Sequence, residues 1–277
     1  SQIDVLNRDF RGKNTDLDQV RSVFREVVGD ARIEFQLEKI VRVQTDSIFA
    51  LTTDWETRSV RYPEGLKEAQ RGGRTAWDPQ YFLNIWVAAI ADDLVFGYAY
   101  PPAELAPWPA DAAAPKFAHD GVVINYTAFG AAPPPYRSQN GEMIHLDGRT
   151  LVHELGHYLG LLHPWGNLTL DQDGCAFDDG LADTPPTATS SFFDCDPLRN
   201  TCTEADDLPD MIENFMDFSA DECRVSFTHE QIKVMRGVLE NQRRDLRLLD
   251  KDDRFDTELI IYPNPSPGAV RIYLRKE

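Results

Sequence analysis

His153-Glu154-Leu155-Gly156-His157-Tyr158-Leu159-Gly160-Leu161-Leu162-His163 has the spacing H-E-x-x-H-x-x-G-x-x-H. Residues four apart lie on one face of a helix, so His153 and His157 can present imidazole nitrogens to one metal ion. Gly160 can adopt a backbone conformation that other residues avoid, which would end the helix and return His163 as a third ligand. Three protein ligands leave the fourth position to water, the arrangement of a catalytic zinc site.

Glu154 follows the first of these histidines directly. In this position it would take a proton from the zinc-bound water and later pass it to the leaving amine. The alternative is a buried amphipathic helix with incidental histidines. Val152, Leu155 and Leu159 do form an apolar stripe, but three histidines on the other side need a separate explanation.

Charge and composition limit the classes of partner. Lys and Arg number 28 against 46 Asp and Glu, a net charge of −18 over 277 residues. Such a balance disfavours nucleic acid and anionic membranes and favours solubility or attraction to basic ligands. The sequence has neither a membrane-spanning apolar run nor a signal peptide at its start, and it begins with Ser1, so we expect a fragment or a mature form.

All the cysteines follow the zinc motif. Cys175, Cys195, Cys202 and Cys223 could form two disulfides, and the sequence leaves all three pairings open. A second, structural zinc site is the alternative, although no C-x-x-C pair is present. Disulfides would place the protein outside the cytosol, in an oxidising compartment.

Hydrophobic spacing predicts the regular elements. Helices are expected over residues 1–10, 17–28 and 147–159 and from Thr228, where Thr-His-Glu-Gln fits a capping box. Strands are expected over 33–43, 81–89, 94–100 and 121–126. Residues 164–219 show little periodicity and would need metal or disulfides to hold their shape.

Three features extend the zinc motif: the possible methionine turn Asn214-Phe215-Met216-Asp217-Phe218, the segment Asp179-Gly180-Leu181-Ala182-Asp183-Thr184-Pro185, and the four cysteines. Together they resemble the pappalysin family of metzincin metallopeptidases, to about residue 245. The resemblance implies an α/β (α+β) fold, with a mixed, mostly parallel twisted sheet, an antiparallel edge strand, two main helices and an irregular, disulfide-stapled lower subdomain.

The same resemblance divides the chain into three parts. Residues 1–163 would form the upper subdomain, without the first strand usual in the family, and residues 164–248 the lower subdomain. Residues 249–277 would be a linker and the truncated start of a sorting domain, because 259–268 and 270–274 resemble the opening of the type IX secretion signal of Bacteroidetes. A plain hairpin is the alternative for this last segment.

The resemblance also implies roles for residues outside the zinc motif. It pairs Cys175 with Cys202 and Cys195 with Cys223. It assigns Asp179, Asp183 and the backbone oxygen of Thr184 to a calcium site, for which a solvated acidic loop is the alternative. Met216 would form a packing floor beneath the zinc, although an ordinary core methionine would look the same.

Two further positions concern substrate and rate. By this resemblance, Asp221 corresponds to an acidic group at the base of a substrate pocket and would favour cleavage on the amino side of Arg or Lys. The alternative is an ordinary loop carboxylate. Phe218 stands where many relatives carry a tyrosine whose hydroxyl could help hold the oxyanion.

The sequence therefore predicts a monomeric, secreted or cell-surface bacterial endopeptidase that uses Zn²⁺ and Ca²⁺ and acts on proteins or peptides. Two rival hypotheses stay open. One is a non-catalytic zinc-containing binding protein or adhesin, against which the intact Glu154 argues. The other is a zinc amidase acting on small amides or peptidoglycan.

Overall fold

The computed structural model describes residues 1–54, 59–91, 95–133, 135–137, 143–166, 174–203, 208–247 and 270–273. Its α-helices are α1 (Gln2–Asp9), α2 (Arg149–Tyr158) and α3 (His229–Glu240). Its strands are β1 (Ile33–Gln36), β2 (Thr52–Asp54), β3 (Ser59–Arg61), β4 (Ile85–Ala88), β5 (Gly97–Ala99), β6 (Val122–Asn125), β7 (Tyr136–Arg137), β8 (Met143–Ile144) and β9 (Val270–Tyr273). None of the helices in these ranges combines the length and apolar character needed to cross a bilayer.

The largest sheet among the described residues has three strands, in the order β4-β6-β5. Strands β4 and β6 run parallel, and β5 runs antiparallel to β6. The central strand β6 is buried along its whole length, as expected for a strand covered on both faces. The predicted mixed sheet with an antiparallel edge strand is confirmed.

Helix α2 packs beneath this sheet and is buried at every residue. Leu151, Val152, Leu155 and Leu159 belong to the main hydrophobic core, together with residues of β6, α1 and α3. The apolar stripe predicted for this helix therefore faces the core. A helix enclosed in this way holds the side chains on its remaining face in fixed positions.

The predicted helix over 17–28 is wrong. The chain instead forms two short 3₁₀ turns, Leu17–Gln19 and Ser22–Phe24, separated at Val20 by an extended backbone with ψ 120°. Arg21 between them donates from Nε to Glu213 (2.6 Å) and from Nη2 to the carbonyl of Asp210 (2.6 Å). These contacts with a distant part of the chain replace the helix that the local spacing favours.

The predicted strand over 33–43 is shorter than expected, because β1 ends at Gln36. Strand β1 pairs in parallel with β9, in the register Ile33 with Val270. The resemblance of the C-terminal segment to a secretion signal stays a prediction, because residues 248–269 and 274–277 lie outside the described residues. The three-part division of the chain also stays a prediction.

The lower half, from residue 174 to α3, contains no helix or extended strand among its described residues. It contains the disulfides Cys175–Cys202 and Cys195–Cys223, the pairing that the resemblance implies. With all four thiols oxidised, the alternative of a second zinc site has no thiolate ligands. Helix α3 then begins with the predicted capping box, in which Thr228 Oγ1 accepts from Gln231 N (3.3 Å) and Gln231 Oε1 accepts from Thr228 N (3.0 Å).

Candidate active site

Three histidine side chains converge at the lower face of α2. The Nε2 atom of His157 lies 3.0 Å from Nε2 of His153 and 3.0 Å from Nε2 of His163. Tetrahedral zinc with bonds of about 2.0–2.1 Å separates its ligand nitrogens by about 3.3 Å. Both separations are close to this value, and the three ligand atoms all lie within 4.8 Å of one another, so one zinc ion can bind all three.

On His153 and His157, a hydrogen bond at Nδ1 fixes the tautomer of the imidazole. His153 Nδ1 lies 2.8 Å from the carbonyl oxygen of Phe215, and His157 Nδ1 lies 2.8 Å from that of Leu161. A carbonyl can only accept, so each Nδ1 carries the proton and each Nε2 keeps its lone pair for a metal. Burial also lowers the pKa of His157 to about 4 and that of His153 well below its usual value. The donor set fits zinc.

Gly160 produces the turn that brings His163 to the other two histidines. Helix α2 ends at Tyr158, and Gly160 follows with φ +96°, a left-handed conformation that residues with a Cβ rarely adopt. The Gly160 carbonyl accepts a hydrogen bond from Trp108 Nε1 at 2.9 Å. The ring of His163 then stacks on Trp165, with 4.6 Å between centroids and an interplanar angle of 5°.

Met216 packs directly against the zinc-motif helix and is fully buried. A Cβ placed on Gly156 would lie 2.3 Å from Met216 Sδ, so the glycine at this position lets the methionine approach the helix. The turn is held by Asn214 Oδ1, which accepts from Met216 N at 2.9 Å. Phe215, the residue between them, supplies the carbonyl that fixes His153.

The histidines open into a cleft of about 410 Å³ between the sheet and the lower half. Its upper wall is the edge strand β5, which pairs as a strand with β6 alone among the described residues. Its lower wall includes Phe192, Phe193 and Phe218. The cleft is thus open along a strand edge, the kind of surface on which an extended peptide can add as a further strand.

Glu154 lies inside this cleft, against β5. A Cβ on Gly97 would lie 2.9 Å from Glu154 Cγ, so the strand and the carboxylate side chain are in close contact. Burial raises the pKa of Glu154 to about 8, and the positive charge of Arg224 opposes the rise. A carboxylate that lines the same cleft as the three histidines is placed where it could exchange a proton with a water molecule there.

Asp179 and Asp183 each leave one buried oxygen without a partner. Asp179 Oδ1 accepts from Leu181 N (3.0 Å) and Asp183 Oδ2 accepts from Glu230 N (2.9 Å). Within the described part of the chain, Asp179 Oδ2 and Asp183 Oδ1 have no hydrogen-bond partner. Burial raises the pKa of Asp179 to about 8. Unpartnered buried carboxylate oxygens fit a hard cation such as calcium.

Asp221 is 1% exposed at its side chain and is paired with Arg224. Its Oδ2 accepts from the backbone N–H groups of Asp147 (2.7 Å) and Arg149 (3.1 Å), and its Oδ1 accepts from Arg224 Nη2. The residues that line the cleft, as far as the chain is described, include Arg224 and not Asp221. The role of Asp221 at the base of a substrate pocket stays a prediction from the sequence.

The sequence also matches a known peptidase family. The model of the family described as pregnancy-associated plasma protein-A, peptidase M43, matches residues 69–240. This range is more than half of the 277 residues and contains the three histidines and Met216. The chain belongs to this family. The assignment confirms the pappalysin resemblance.

Relatives of this M43 chain include extracellular metalloproteases of fungi. One from Aspergillus fumigatus is 37% identical over 105 residues, which are 38% of this chain and 31% of the relative. One from Arthroderma benhamiae is 27% identical over 235 residues, 85% of this chain and 63% of the relative. The chain thus spans less than a third of the Aspergillus relative's length.

Solved structures give a more extensive match. Mirolysin in complex with compound 9 superposes with a TM-score of 0.69 and 33% identity, over 88% of this chain and 85% of that one. Mature mirolysin of Tannerella forsythia in complex with a cleaved peptide gives 0.66 and 34%, over 88% and 86%. The metzincin fold predicted for this M43 chain is therefore confirmed.

Sequence reasoning missed several residues of the M43 site. Tyr62, Trp108 and Arg224 line the cleft, yet none belongs to a recognisable motif. Trp108 lies in a Pro/Ala-rich segment that offered no periodicity, and it is positioned by its hydrogen bond to Gly160. Arg224 alone had a usable signal, because it is three residues from Asp221 and opposite in charge.

Proposed function

We propose that this protein is a zinc-dependent endopeptidase. The observation that carries the proposal is the convergence of three Nε2 atoms next to Glu154, within a cleft beneath the edge strand β5. Two of the three imidazoles are fixed in the metal-binding tautomer by backbone carbonyls. The fungal relatives are extracellular metalloproteases by name, and the family membership supports the same activity.

His153, His157 and His163 would hold the zinc ion. Bound zinc supplies a water of lowered pKa and polarises the carbonyl of the peptide bond. A carboxylate oxygen of Glu154 accepts the proton of the attacking water and then donates it to the leaving amine. Strand β5 binds and orients the substrate backbone through main-chain hydrogen bonds, and the aromatic lower wall excludes water.

The predicted cleavage on the amino side of Arg or Lys depends on a carboxylate with an unpaired charge. Asp221 is paired with Arg224. The function we propose is an endopeptidase, and cleavage on the amino side of Arg or Lys stays a prediction from the sequence.

An assay of three substrate classes tests the function against its rivals. We expect the zinc-loaded protein to cut unfolded proteins at internal bonds and to leave small amides and peptidoglycan intact. Hydrolysis confined to small amides or peptidoglycan would favour the amidase. Tight zinc binding with no hydrolysis of any class by folded protein would favour the binding protein.

Secretion is the localisation that the disulfides support. Two disulfides are characteristic of proteins from oxidising compartments, and the fungal relatives are named as extracellular. Bacterial origin, export by the type IX machinery and a monomeric state stay predictions from the sequence.

We propose a structural calcium ion at Asp179, Asp183 and the backbone oxygen of Thr184. A calcium ion that binds the folded state and not the unfolded state raises the free energy of unfolding by about 2.7 kcal/mol when the calcium concentration is 100 times Kd. For a protein of this size that corresponds to an increase in Tm of roughly 5–11 °C. Differential scanning fluorimetry with Ca²⁺, and with Mg²⁺ as the control ion, measures the shift.

The Asp183→Asn variant is the matched control for calcium. It keeps the size of the side chain but removes a negative charge from the proposed ligand set, so the shift in Tm should fall sharply. An equal shift in the variant and the parent would contradict the assignment of Asp183, and no shift in the parent would contradict the site.

We also predict that Phe218→Tyr increases turnover. Phe218 is in contact with the zinc ligands, 4.9 Å from the His163 ring and 5.2 Å from the His153 ring. A hydroxyl at the end of this ring could donate a hydrogen bond to the developing oxyanion. Where one such donor acts fully, it raises turnover by a factor of about 10²–10³. Initial rates of the two proteins on one peptide measure the effect; equal rates would show that no donor is missing here.

A further inference from the structure

Tyr62 contributes to the cleft wall from the hairpin formed by β2 and β3. It directly follows the last residue of β3, and Val60, two positions earlier, also lines the cleft. Side chains two apart in an extended segment lie on the same face, so this face of the hairpin is directed to the cleft. Tyr62 is 37% exposed, and a bound peptide can therefore reach it.

The ring of Tyr62 is held in place by two aromatic neighbours. It stacks on Tyr98 with 4.2 Å between centroids and an interplanar angle of 15°, and it meets Tyr100 edge-on at 6.1 Å. Tyr98 belongs to β5, the edge strand that we propose to bind the substrate backbone. The stack thus keeps Tyr62 beside this strand, and a side chain that is already fixed loses little conformational entropy in a further contact.

The hydroxyl of Tyr62 is available as a donor. The hydroxyls of Tyr98 and Tyr100 both donate to Glu64 Oε1, at 3.3 and 2.8 Å, whereas the Tyr62 hydroxyl forms no hydrogen bond among the described residues. Burial raises the pKa of Tyr62 to about 12, and the charges of Glu154 and Glu64 add to this rise. The phenol therefore keeps its proton at neutral pH.

A peptide that adds to β5 needs donors on its second edge. Hydrogen bonds to β5 use the backbone groups on one edge of the peptide, and the remaining carbonyls point away from that strand. A backbone carbonyl removed from water without a partner costs free energy comparable to a lost hydrogen bond. Trp108 Nε1, another donor in the cleft wall, is already bonded to the carbonyl of Gly160.

We propose that the Tyr62 hydroxyl donates a hydrogen bond to a main-chain carbonyl oxygen of the peptide substrate and so positions the peptide along β5. Every peptide has such carbonyls, so the contact adds affinity without selecting a side chain. Tyr62 is then a substrate-binding residue outside the zinc motif. This inference rests on the proposed peptidase function.

The affinity for an uncut peptide tests this contact. The probe is a fluorescently labelled peptide that the parent cuts, bound to zinc-loaded Glu154→Gln protein, in which hydrolysis is slow. Adding Tyr62→Phe removes only the hydroxyl and keeps the stack, so Kd should rise about three- to tenfold, the effect of one net hydrogen bond. Fluorescence anisotropy measures Kd.

Steady-state kinetics give a second readout in protein that keeps Glu154. Tyr62→Phe should raise KM by a similar factor and change kcat little, because the hydrogen bond is present both before and during the chemical step. Tyr81→Phe is the matched control, since Tyr81 is 52% exposed and lies outside the cleft wall as far as the chain is described. It should leave Kd and KM unchanged.

Thermal unfolding and zinc content check that Tyr62→Phe is intact, and both should equal those of the parent because the hydroxyl has no partner in the free protein. An unchanged Kd in this folded, zinc-loaded variant would overturn the inference. A fall in kcat with Kd and KM unchanged would do the same, because the hydroxyl would then act only in the transition state. If the parent cuts no peptide, the proposed function itself fails, whereas a parent that cuts and a Kd insensitive to Tyr62→Phe overturn the inference alone.

Discussion

Glu154→Gln is expected to lower the rate of peptide hydrolysis by a factor of about 10²–10⁴ while zinc stays bound. The amide has nearly the size of the carboxylate and fits the same space against Gly97 in β5. It cannot accept a proton from water at neutral pH, so the loss falls on the chemical step. Initial rates on one peptide, with zinc content measured on the same sample, give the comparison.

Glu26→Gln is the matched control, because Glu26 is exposed and far from the motif in the sequence. It should leave the rate unchanged. If Glu154→Gln retained full activity, another group would have to serve as the base, and the assignment of Glu154 would be abandoned.

His157→Ala is expected to abolish both zinc binding and proteolysis. Its Nε2 lies 3.0 Å from each of the other two ligand atoms, and its Nδ1 is fixed by Leu161. Removing it leaves two ligands, whereas catalytic zinc sites use three. Metal analysis of the purified protein should show about one zinc per chain in the parent and almost none in the variant.

The exposed residue His145 lies outside the motif and provides the control. His145→Ala should keep its zinc and its activity. Loss of zinc from this variant, or retention of zinc by His157→Ala, would contradict the ligand set. Circular dichroism of both variants ensures that loss of metal is not loss of fold.

Local spacing predicted the zinc site because its geometry is set within eleven consecutive residues. The i, i+4 positions of His153 and His157 and the left-handed Gly160 are properties of a helix and its end, and they need no distant partner. The capping box at Thr228 is local in the same sense. Such features can be predicted from a sequence.

The features that failed depend on distant contacts. The 17–28 segment has helical spacing, but Arg21 is held by Glu213, which lies 192 positions away. Arg224 is close to Asp221 in sequence, yet both lie in an irregular loop whose backbone sets which way each side chain points. No periodicity applies there, so the sequence could not show that Asp221 and Arg224 form an ion pair.

The central claim is that a histidine-bound zinc ion and Glu154 together hydrolyse peptide bonds in this cleft. The most direct measurement is mass spectrometry of an unfolded protein after incubation with the zinc-loaded protein, with the protein after chelation, and with the chelated protein after zinc is restored. We predict internal cuts in the first and third samples and none in the second. Cuts that persist after complete removal of zinc would contradict the account.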